Sequence, residues 1–241
     1  MSKCTPIPCS VRNRDCALSC YASQMNAALL PRNHENPPVS TSLDPDKVCA
    51  VLVTRGDVNL APILETLPYG EVVIYDNAKR QHDWKVFGRY VAISETQKPV
   101  IYFQDDDCLV TCHEELLEAY EPSVVVGNML DHHPPRLETY RDTTLLGWGA
   151  LFDRGLPFEA FEQYGRFYPI DWEFKTGSGA ETVFPMLSRT KTIIEGIEWL
   201  DQDGPVFQRP NRMWKQEGSS AERDFWLDRA REVRDRITAG E

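Results

Sequence analysis

The sequence has no long apolar run, and no apolar stretch follows a basic start at the N-terminus. A bilayer-spanning helix needs roughly 20 predominantly apolar residues, so we expect neither a membrane span nor a membrane partner. A secretory signal peptide also needs an apolar core, so none is predicted. These absences favour a cytoplasmic protein.

Two glycine-rich phosphate-binding motifs are missing as well. Neither G-x-G-x-x-G nor G-x-x-x-x-G-K-[ST] follows the first apolar run, Val48–Thr54. In both motifs the glycines let backbone amides close around phosphate groups. Their absence argues against a dinucleotide-dependent enzyme and against a P-loop phosphotransferase.

Basic residues are outnumbered: the chain has 26 Lys and Arg against 37 Asp and Glu, a net charge of −11. An acidic protein is a poor electrostatic partner for a phosphate backbone, which disfavours nucleic acid. A single anionic nucleotide remains compatible with this charge if a divalent cation lies between the nucleotide and the protein.

The seven cysteines do not suggest a disulfide framework, because their number is odd and no secretion signal is present. Four of them lie near the N-terminus: Cys4, Cys9, Cys16 and Cys20. These thiols could bind zinc, although their spacing lacks the paired C-x2-C of common zinc sites. The alternative is reduced, unliganded thiols. Residues 1–47, rich in cysteine and proline, are predicted to form an extension to a domain at 48–241.

Within that domain, short apolar runs alternate with helical segments. Four strands are predicted, at Val48–Thr54, 71–75, 99–103 and 123–127. Helices are predicted between them, at 57–67, 83–90 and 113–120. Continuous apolar strands are typical of a parallel sheet that is covered on both faces. The predicted fold class is α/β: a Rossmann-like single domain with a mixed, mostly parallel sheet flanked by helices.

Polar residues follow three of these strands, at the sheet edge where open α/β sheets bind ligands. The residues are Thr54 and Arg55, then Asp76 and Asn77, and finally Asp105, Asp106 and Asp107. Three adjacent carboxylates repel one another, so their position after a buried strand favours a bound cation. Because strand residues two apart point the same way, Asp105 and Asp107 are predicted to share a metal ion. The alternative is a solvated acidic loop.

The segment Phe103-Gln-Asp-Asp-Asp-Cys108 resembles the DXD motif of GT-A glycosyltransferases. With it, residues 48–110 resemble the nucleotide-sugar-binding half of that family. The resemblance implies that Asp105 and Asp107 hold Mn²⁺ or Mg²⁺ and that Asp106 faces the donor. It also implies a set of donor-binding residues in this half: Thr54, Arg55, Asp76, Asn77 and Arg89.

Residues 111–241 resemble the acceptor half of the same family. Trp148 and Gly149 lie in a glycine-rich segment that covers the sugar in such enzymes, and Arg212 lies where a basic loop closes over the diphosphate. Glu181 matches the acidic position that serves as the base in inverting members, and Asp171 is the competing candidate. This chain departs from the family in having no late histidine as a third metal ligand.

The resemblance implies a metal-dependent glycosyltransferase that moves a sugar from a nucleoside-diphosphate sugar, a UDP-sugar first, to a hydroxyl of a glycan or protein. Two alternatives stay open. One is a glycosyltransferase that acts on hydroxymethylated bases in DNA, as in phages. The other is a nucleotidyltransferase, which also combines a nucleotide-binding sheet with metal-binding acids.

Overall fold

The computed structural model describes residues 42–129, 142–200, 208 and 212–241. The chain divides into two units, Met1–Val39 and Ser40–Glu241, and the described residues all belong to the second. The N-terminal cysteines, and with them the zinc alternative, lie outside the described residues. In the part of the chain that is described, no helix combines the length and apolarity that crossing a bilayer requires.

Six strands form the main sheet, in the order β2-β1-β3-β6-β5-β7. Their bounds are β1 Val48–Thr54, β2 Glu71–Asp76, β3 Val100–Gln104, β5 Val124–Asn128, β6 Ala150–Asp153 and β7 Arg189–Ile193. Strand β6 runs antiparallel to both of its neighbours, and the other pairings are parallel. A small second sheet pairs β4, Cys108–Leu109, with β8, Glu198–Trp199. The predicted α/β fold with a mixed, mostly parallel sheet is confirmed.

Seven α-helices are described along with the sheet. They are α1 Ala61–Leu64, α2 Gly88–Ala92, α3 His113–Ala119, α4 Leu156–Gly165, α5 Trp172–Thr176, α6 Gly179–Met186 and α7 Ser219–Thr238. Side chains of β1 and β3 alternate between two apolar cores, as the two-residue period of a strand requires. Val51 and Phe103 contribute to the core that contains α2, α4, α6 and α7. Ala50 and Tyr102 contribute to the core that contains α3.

The sequence prediction placed β1 correctly because all seven of its residues are buried and apolar or β-branched. It was wrong about the first helix: the structure has only Ala61–Leu64 where 57–67 was predicted. Pro62 explains the later start, since proline has no N–H to donate and fits only the first turn of a helix. The predicted helix 83–90 is also divided, into a 3₁₀ turn at Lys85–Phe87 and α2.

Candidate active site

The ends of β1 and β3 open into a cavity of about 320 Å³. Because β1 and β3 are parallel neighbours, their carboxyl ends meet at the same edge of the sheet. The lining includes most of the polar residues that the sequence placed at strand ends: Thr54, Arg55, Asn77, Asp105, Asp106 and Asp107. It also includes two arginines from other elements, Arg89 and Arg212.

Arg89 joins the acidic run to helix α6. It is almost completely buried in α2, with 1% of its surface exposed. Its Nη2 donates to Asp105 Oδ1 at 2.5 Å, and its Nη1 lies 3.4 Å from Glu181 Oε2. Burial disfavours the charged form of Arg89, but Glu181 and Asp105 outweigh this effect and raise its pKa. Arg89 is therefore a buried cation shared by two carboxylates.

Arg212 approaches the other two carboxylates of the run. Its Nη1 lies 3.1 Å from Asp106 Oδ1 and 3.7 Å from Asp107 Oδ2. Asp106 is buried, and the hydroxyl of Thr54 at the end of β1 lies within hydrogen-bonding reach of its carboxylate. Burial raises the pKa of Asp106, while Arg212 and Thr54 oppose the shift. Asp106 is consequently held by protein groups on two sides.

The cluster contains more negative than positive charge. Four carboxylates, at Asp105, Asp106, Asp107 and Glu181, face the two arginines. Burial, together with Asp105 and Asp106, raises the pKa of Asp107 to about 7. Burial raises the pKa of Glu181 to about 7 as well, against the opposing effect of Arg89. Two carboxylates at the site are thus poorly compensated near neutral pH.

These residues fit a divalent cation that arrives with a phosphate ligand. Within the described ranges, no group of three or more Asp, Glu, His or Cys side chains is arranged to hold a metal ion by itself. Asp105 lies 2.5 Å from Arg89, and Asp106 lies 3.1 Å from Arg212. Asp107 is farther from its arginine, at 3.7 Å from Arg212. Mg²⁺ and Mn²⁺ commonly bind one or two carboxylates and complete their coordination with substrate phosphate and water. The donor set matches that pattern rather than a closed protein cage.

Asn77 has a structural task at the cavity wall. Its Nδ2 donates to the carbonyl of Lys85 at 3.0 Å, and its Oδ1 accepts from the amide of Trp84 at 3.0 Å. Lys85 has a positive φ of 49°, a conformation that a side chain tolerates poorly, so the turn needs such support. Asn77 was expected to contact the donor; the structure shows that its amide holds the turn that borders the cavity.

Asp76 does not line the cavity that contains the acidic run. Its Oδ1 accepts from the amide of Ala78 at 3.0 Å, and its Oδ2 lies 2.8 Å from Lys79 Nζ. It faces a second, more open cavity of about 600 Å³. Thr54 lines both cavities, so the two adjoin at the end of β1. Asp76 thus caps a 3₁₀ turn beside the site, and its contact with the donor stays a prediction.

Trp148 and Gly149 also differ from the sequence expectation. Trp148 is 5% exposed and packs edge-on against Trp199, with ring centroids 5.6 Å apart, so it offers no open face to a sugar. Gly149 has a φ of 95°, and a Cβ at this position would lie 3.0 Å from Val110 and 3.3 Å from Leu116. Both residues belong to the core on the α3 side of the sheet.

Gly147 is the glycine that approaches the acidic run, and the sequence reasoning missed it. A Cβ at residue 147 would lie 2.0 Å from Asp105 Oδ2. The carbonyl of Gly147 also accepts from the amide of Asp105 at 2.7 Å. The glycine-rich segment was recognised, but only the three-dimensional structure shows which of its two glycines packs against the carboxylate.

The two candidate bases lie in different surroundings. Glu181 is in the first turn of α6 and contacts Arg89, although it does not line the cavity itself. Asp171 is exposed and caps α5, where its Oδ1 accepts from the amide of Phe174 at 2.9 Å. The structure brings Glu181 together with the acidic run and places Asp171 in a capping role.

Comparison with known proteins gives a limited result. No protein-family model matches the sequence, and no curated protein matches it. Among solved structures, the chain is similar to the mannosyltransferase PcManGT from Pyrobaculum calidifontis, solved in complex with GDP-Man and Mn²⁺. The two share 12% identity over 93% of this chain and 83% of the other, with a TM-score of 0.42.

Proposed function

We propose that this chain is a metal-dependent glycosyltransferase of the GT-A type, with Asp105-Asp106-Asp107 as its DXD motif. It would transfer a sugar from a nucleoside-diphosphate sugar, with UDP-sugars the first candidates, to a hydroxyl of a glycan or protein. The observation that carries the proposal is the excess of carboxylates in the ion-pair cluster at the ends of β1 and β3, where Asp105, Asp106, Asp107 and Glu181 share two arginines, Arg89 and Arg212. This excess favours a ligand that brings a divalent cation.

The cavity has a suitable size and chemistry for part of a nucleotide donor. Its volume of about 320 Å³ falls within the usual range for small-molecule sites. Thr54 and Arg55 at the end of β1 would contact the nucleotide, and Asn77 would keep the adjoining wall in place. Asp106, which the hydroxyl of Thr54 approaches at the end of β1, would face the ribose or the sugar.

Asp105 and Asp107 are the residues that we propose to hold Mn²⁺ or Mg²⁺. When bound, such an ion would neutralise the charge that develops on the departing diphosphate. Arg89 fixes the orientation of Asp105 through the 2.5 Å contact, and Gly147 leaves the space that this carboxylate occupies. Arg212 adds positive charge on the opposite side of the run.

Glu181 is the proposed base of an inverting transfer. A base works best when its pKa lies near the working pH, and burial raises the pKa of Glu181 to about 7. Arg89 holds Oε2 of this carboxylate, and the hydroxyl of Tyr90 also lies within hydrogen-bonding reach of Glu181. The Glu181 carboxylate would take the proton from the acceptor hydroxyl as the new glycosidic bond forms.

The test is donor hydrolysis and transfer by the purified chain with a panel of UDP- and GDP-sugars, in Mn²⁺ and in EDTA. We expect Mn²⁺-dependent release of nucleoside diphosphate, with a loss of about 100-fold in Asp107→Ala, as for removal of a group that stabilises developing charge. Asp224→Ala, which removes an exposed carboxylate from α7, is the matched control. Equal turnover in EDTA would contradict the proposal.

The same assay separates the alternatives. Release of pyrophosphate rather than nucleoside diphosphate would indicate a nucleotidyltransferase. Including DNA with hydroxymethylcytosine beside a glycan panel distinguishes the DNA-modifying alternative from transfer to a glycan or protein. Glu181→Gln should bind nucleotide with nearly the affinity of the unmodified chain but should transfer sugar at least about 100-fold more slowly. Undiminished transfer in this variant would remove Glu181 as the base.

A further inference from the structure

Arg212 lies against the acidic run, where it contacts one of the two carboxylates that we propose as metal ligands, Asp107. It is 8% exposed, and its Nη1 approaches both Asp106 and Asp107, at 3.1 and 3.7 Å. Arginine bound in this way supplies the positive charge that a cluster of carboxylates requires when no metal is present. Arg212 and a divalent cation would therefore both bind Asp107, and Arg212 also holds Asp106.

The surrounding chain holds Arg212 at this place through short local contacts. Its carbonyl accepts from the amide of Lys215 at 3.0 Å, which closes the 3₁₀ turn Met213–Lys215. Helix α7 begins at Ser219 and is anchored in the core by Trp226 and Leu227. Arg212 thus directly precedes a turn and a helix that is packed into the core.

The same segment also borders the space where a diphosphate would lie. Arg212, Met213 and Gln216 line the cavity together with Asp105–Asp107. A guanidinium binds phosphate oxygens in the same paired geometry as it binds carboxylates. If a diphosphate enters this cavity, its oxygens would lie beside Arg212 and could replace the carboxylates as partners of the guanidinium.

We infer that Arg212 is an internal counter-ion that competes with the divalent cation for Asp107 and moves from the acidic run to the diphosphate when metal and nucleotide bind together. This inference rests on the proposed function, because it assumes a metal–diphosphate ligand. Its consequence is that the metal alone binds weakly, while the metal and the nucleotide favour each other. Arg212 would then weaken the binding of the metal alone and strengthen the binding of the nucleotide in the presence of metal.

The test measures Mn²⁺ binding from the electron paramagnetic resonance signal of free Mn²⁺, first without nucleotide. For Arg212→Ala we expect Mn²⁺ affinity at least about fivefold higher than for the unmodified chain, in the range of typical coupling between sites. In the presence of saturating Mn²⁺, calorimetry should show UDP and GDP binding at least about tenfold more weakly to this variant. Arg212→Lys, which keeps the charge, should resemble the unmodified chain in Mn²⁺ affinity.

Lys215→Ala is the matched control, because it removes one positive charge from the same turn while its Nζ contacts Gln208 rather than the acidic run. Its Mn²⁺ affinity should stay within about twofold of the unmodified chain, as for surface substitutions generally. Arg212→Gln covers the case in which Arg212→Ala does not fold, since glutamine can still donate to Asp106 without carrying charge. Thermal unfolding adds a measure that does not depend on activity: Mn²⁺ should raise the Tm of the neutral variants more than that of the unmodified chain.

The outcomes separate this inference from the proposed function. If the unmodified chain binds Mn²⁺ through Asp107 but the folded neutral variants bind it no more tightly, the role of Arg212 is overturned and the metal site stands. If neither the unmodified chain nor any variant binds Mn²⁺ with or without nucleotide, both proposals are overturned. Tighter Mn²⁺ binding together with weaker nucleotide binding in the neutral variants supports the exchange.

Discussion

Asp107→Asn is expected to stabilise the protein in the absence of metal. Burial and the neighbouring carboxylates raise the pKa of Asp107 from 3.8 to about 7. A carboxylate with a raised pKa keeps its proton longer in the folded chain than in the unfolded one. The free energy of unfolding therefore falls as the pH rises from about 4 to about 7, and the loss is complete above pH 7. An uncharged asparagine of nearly the same shape avoids that loss.

The magnitude follows from the size of the shift. One pKa unit corresponds to about 1.4 kcal/mol, so a shift of about three units gives an upper value of about 4 kcal/mol. The three neighbouring carboxylates share their protons, so one substitution recovers only part of this energy. The contact between Asp107 and Arg212 is also lost, but Arg212 keeps its closer partner, Asp106. We expect a net stabilisation of about 2 kcal/mol at pH 7.5.

The assay is urea unfolding in EDTA, at pH 5 and pH 7.5, of the unmodified chain, Asp107→Asn and the control Asp224→Asn. The variant should gain about 2 kcal/mol at pH 7.5 and less than half as much at pH 5, because pH 5 lies only about one unit above the pKa of 3.8 from which the loss begins. The control should follow the unmodified chain at both values. Destabilisation of Asp107→Asn at pH 7.5, or an equal gain at both pH values, would refute the reasoning. A gain that is larger at pH 7.5 than at pH 5 would mean that the charge on Asp107 lowers the free energy of unfolding, as is common for residues that are kept for function.

Three further predictions concern groups around the site. Burial lowers the pKa of His113 to about 4. Between about pH 4 and 6.5 the unfolded chain therefore binds more protons than the folded chain. The free energy of unfolding falls by up to about 3 kcal/mol as the pH drops through that range. His113→Gln keeps a polar group for the hydroxyl of Tyr69 and should reduce this loss of stability at acid pH in urea unfolding. An unchanged loss would mean that other groups cause it. Gly147→Ala, whose Cβ would collide with Asp105 Oδ2, should weaken Mn²⁺-dependent nucleotide binding at least about tenfold in calorimetry; unchanged affinity would show that Asp105 can move without consequence. Asn77→Ala removes both side-chain bonds that hold the turn before α2, so it should cost about 2 kcal/mol in urea unfolding and weaken nucleotide binding, and a loss of stability with unchanged affinity would limit Asn77 to a structural role.

The parts of the fold that follow from local sequence were predictable. Strands β1, β3 and β5 consist entirely of buried residues, so their apolar runs are visible without the structure. Strand β7 has the sequence Arg-Thr-Lys-Thr-Ile and is mostly exposed, so it carries no apolar signal. Its position in the sheet depends on pairing with β5, which lies more than 60 residues earlier in the chain.

The site was predictable to the extent that it lies at strand ends. The acidic run and Thr54 were found because polar residues follow apolar runs directly. The partnership of Arg89 with Glu181 joins residues 92 positions apart in sequence, and that of Arg212 with Asp106 joins residues 106 positions apart. No local pattern records such contacts. Local sequence also does not show which way the side chains of Trp148 and Asp76 face, and their expected roles depended on that direction.

The most direct test of the central claim is calorimetric titration of UDP and GDP into the purified chain, with Mn²⁺ and again with EDTA. We expect at least one of the two nucleotides to bind in Mn²⁺. Its binding should be lost in EDTA and in Asp107→Ala. Binding of equal strength in Mn²⁺ and in EDTA, or no binding of either nucleotide under any condition, would contradict it.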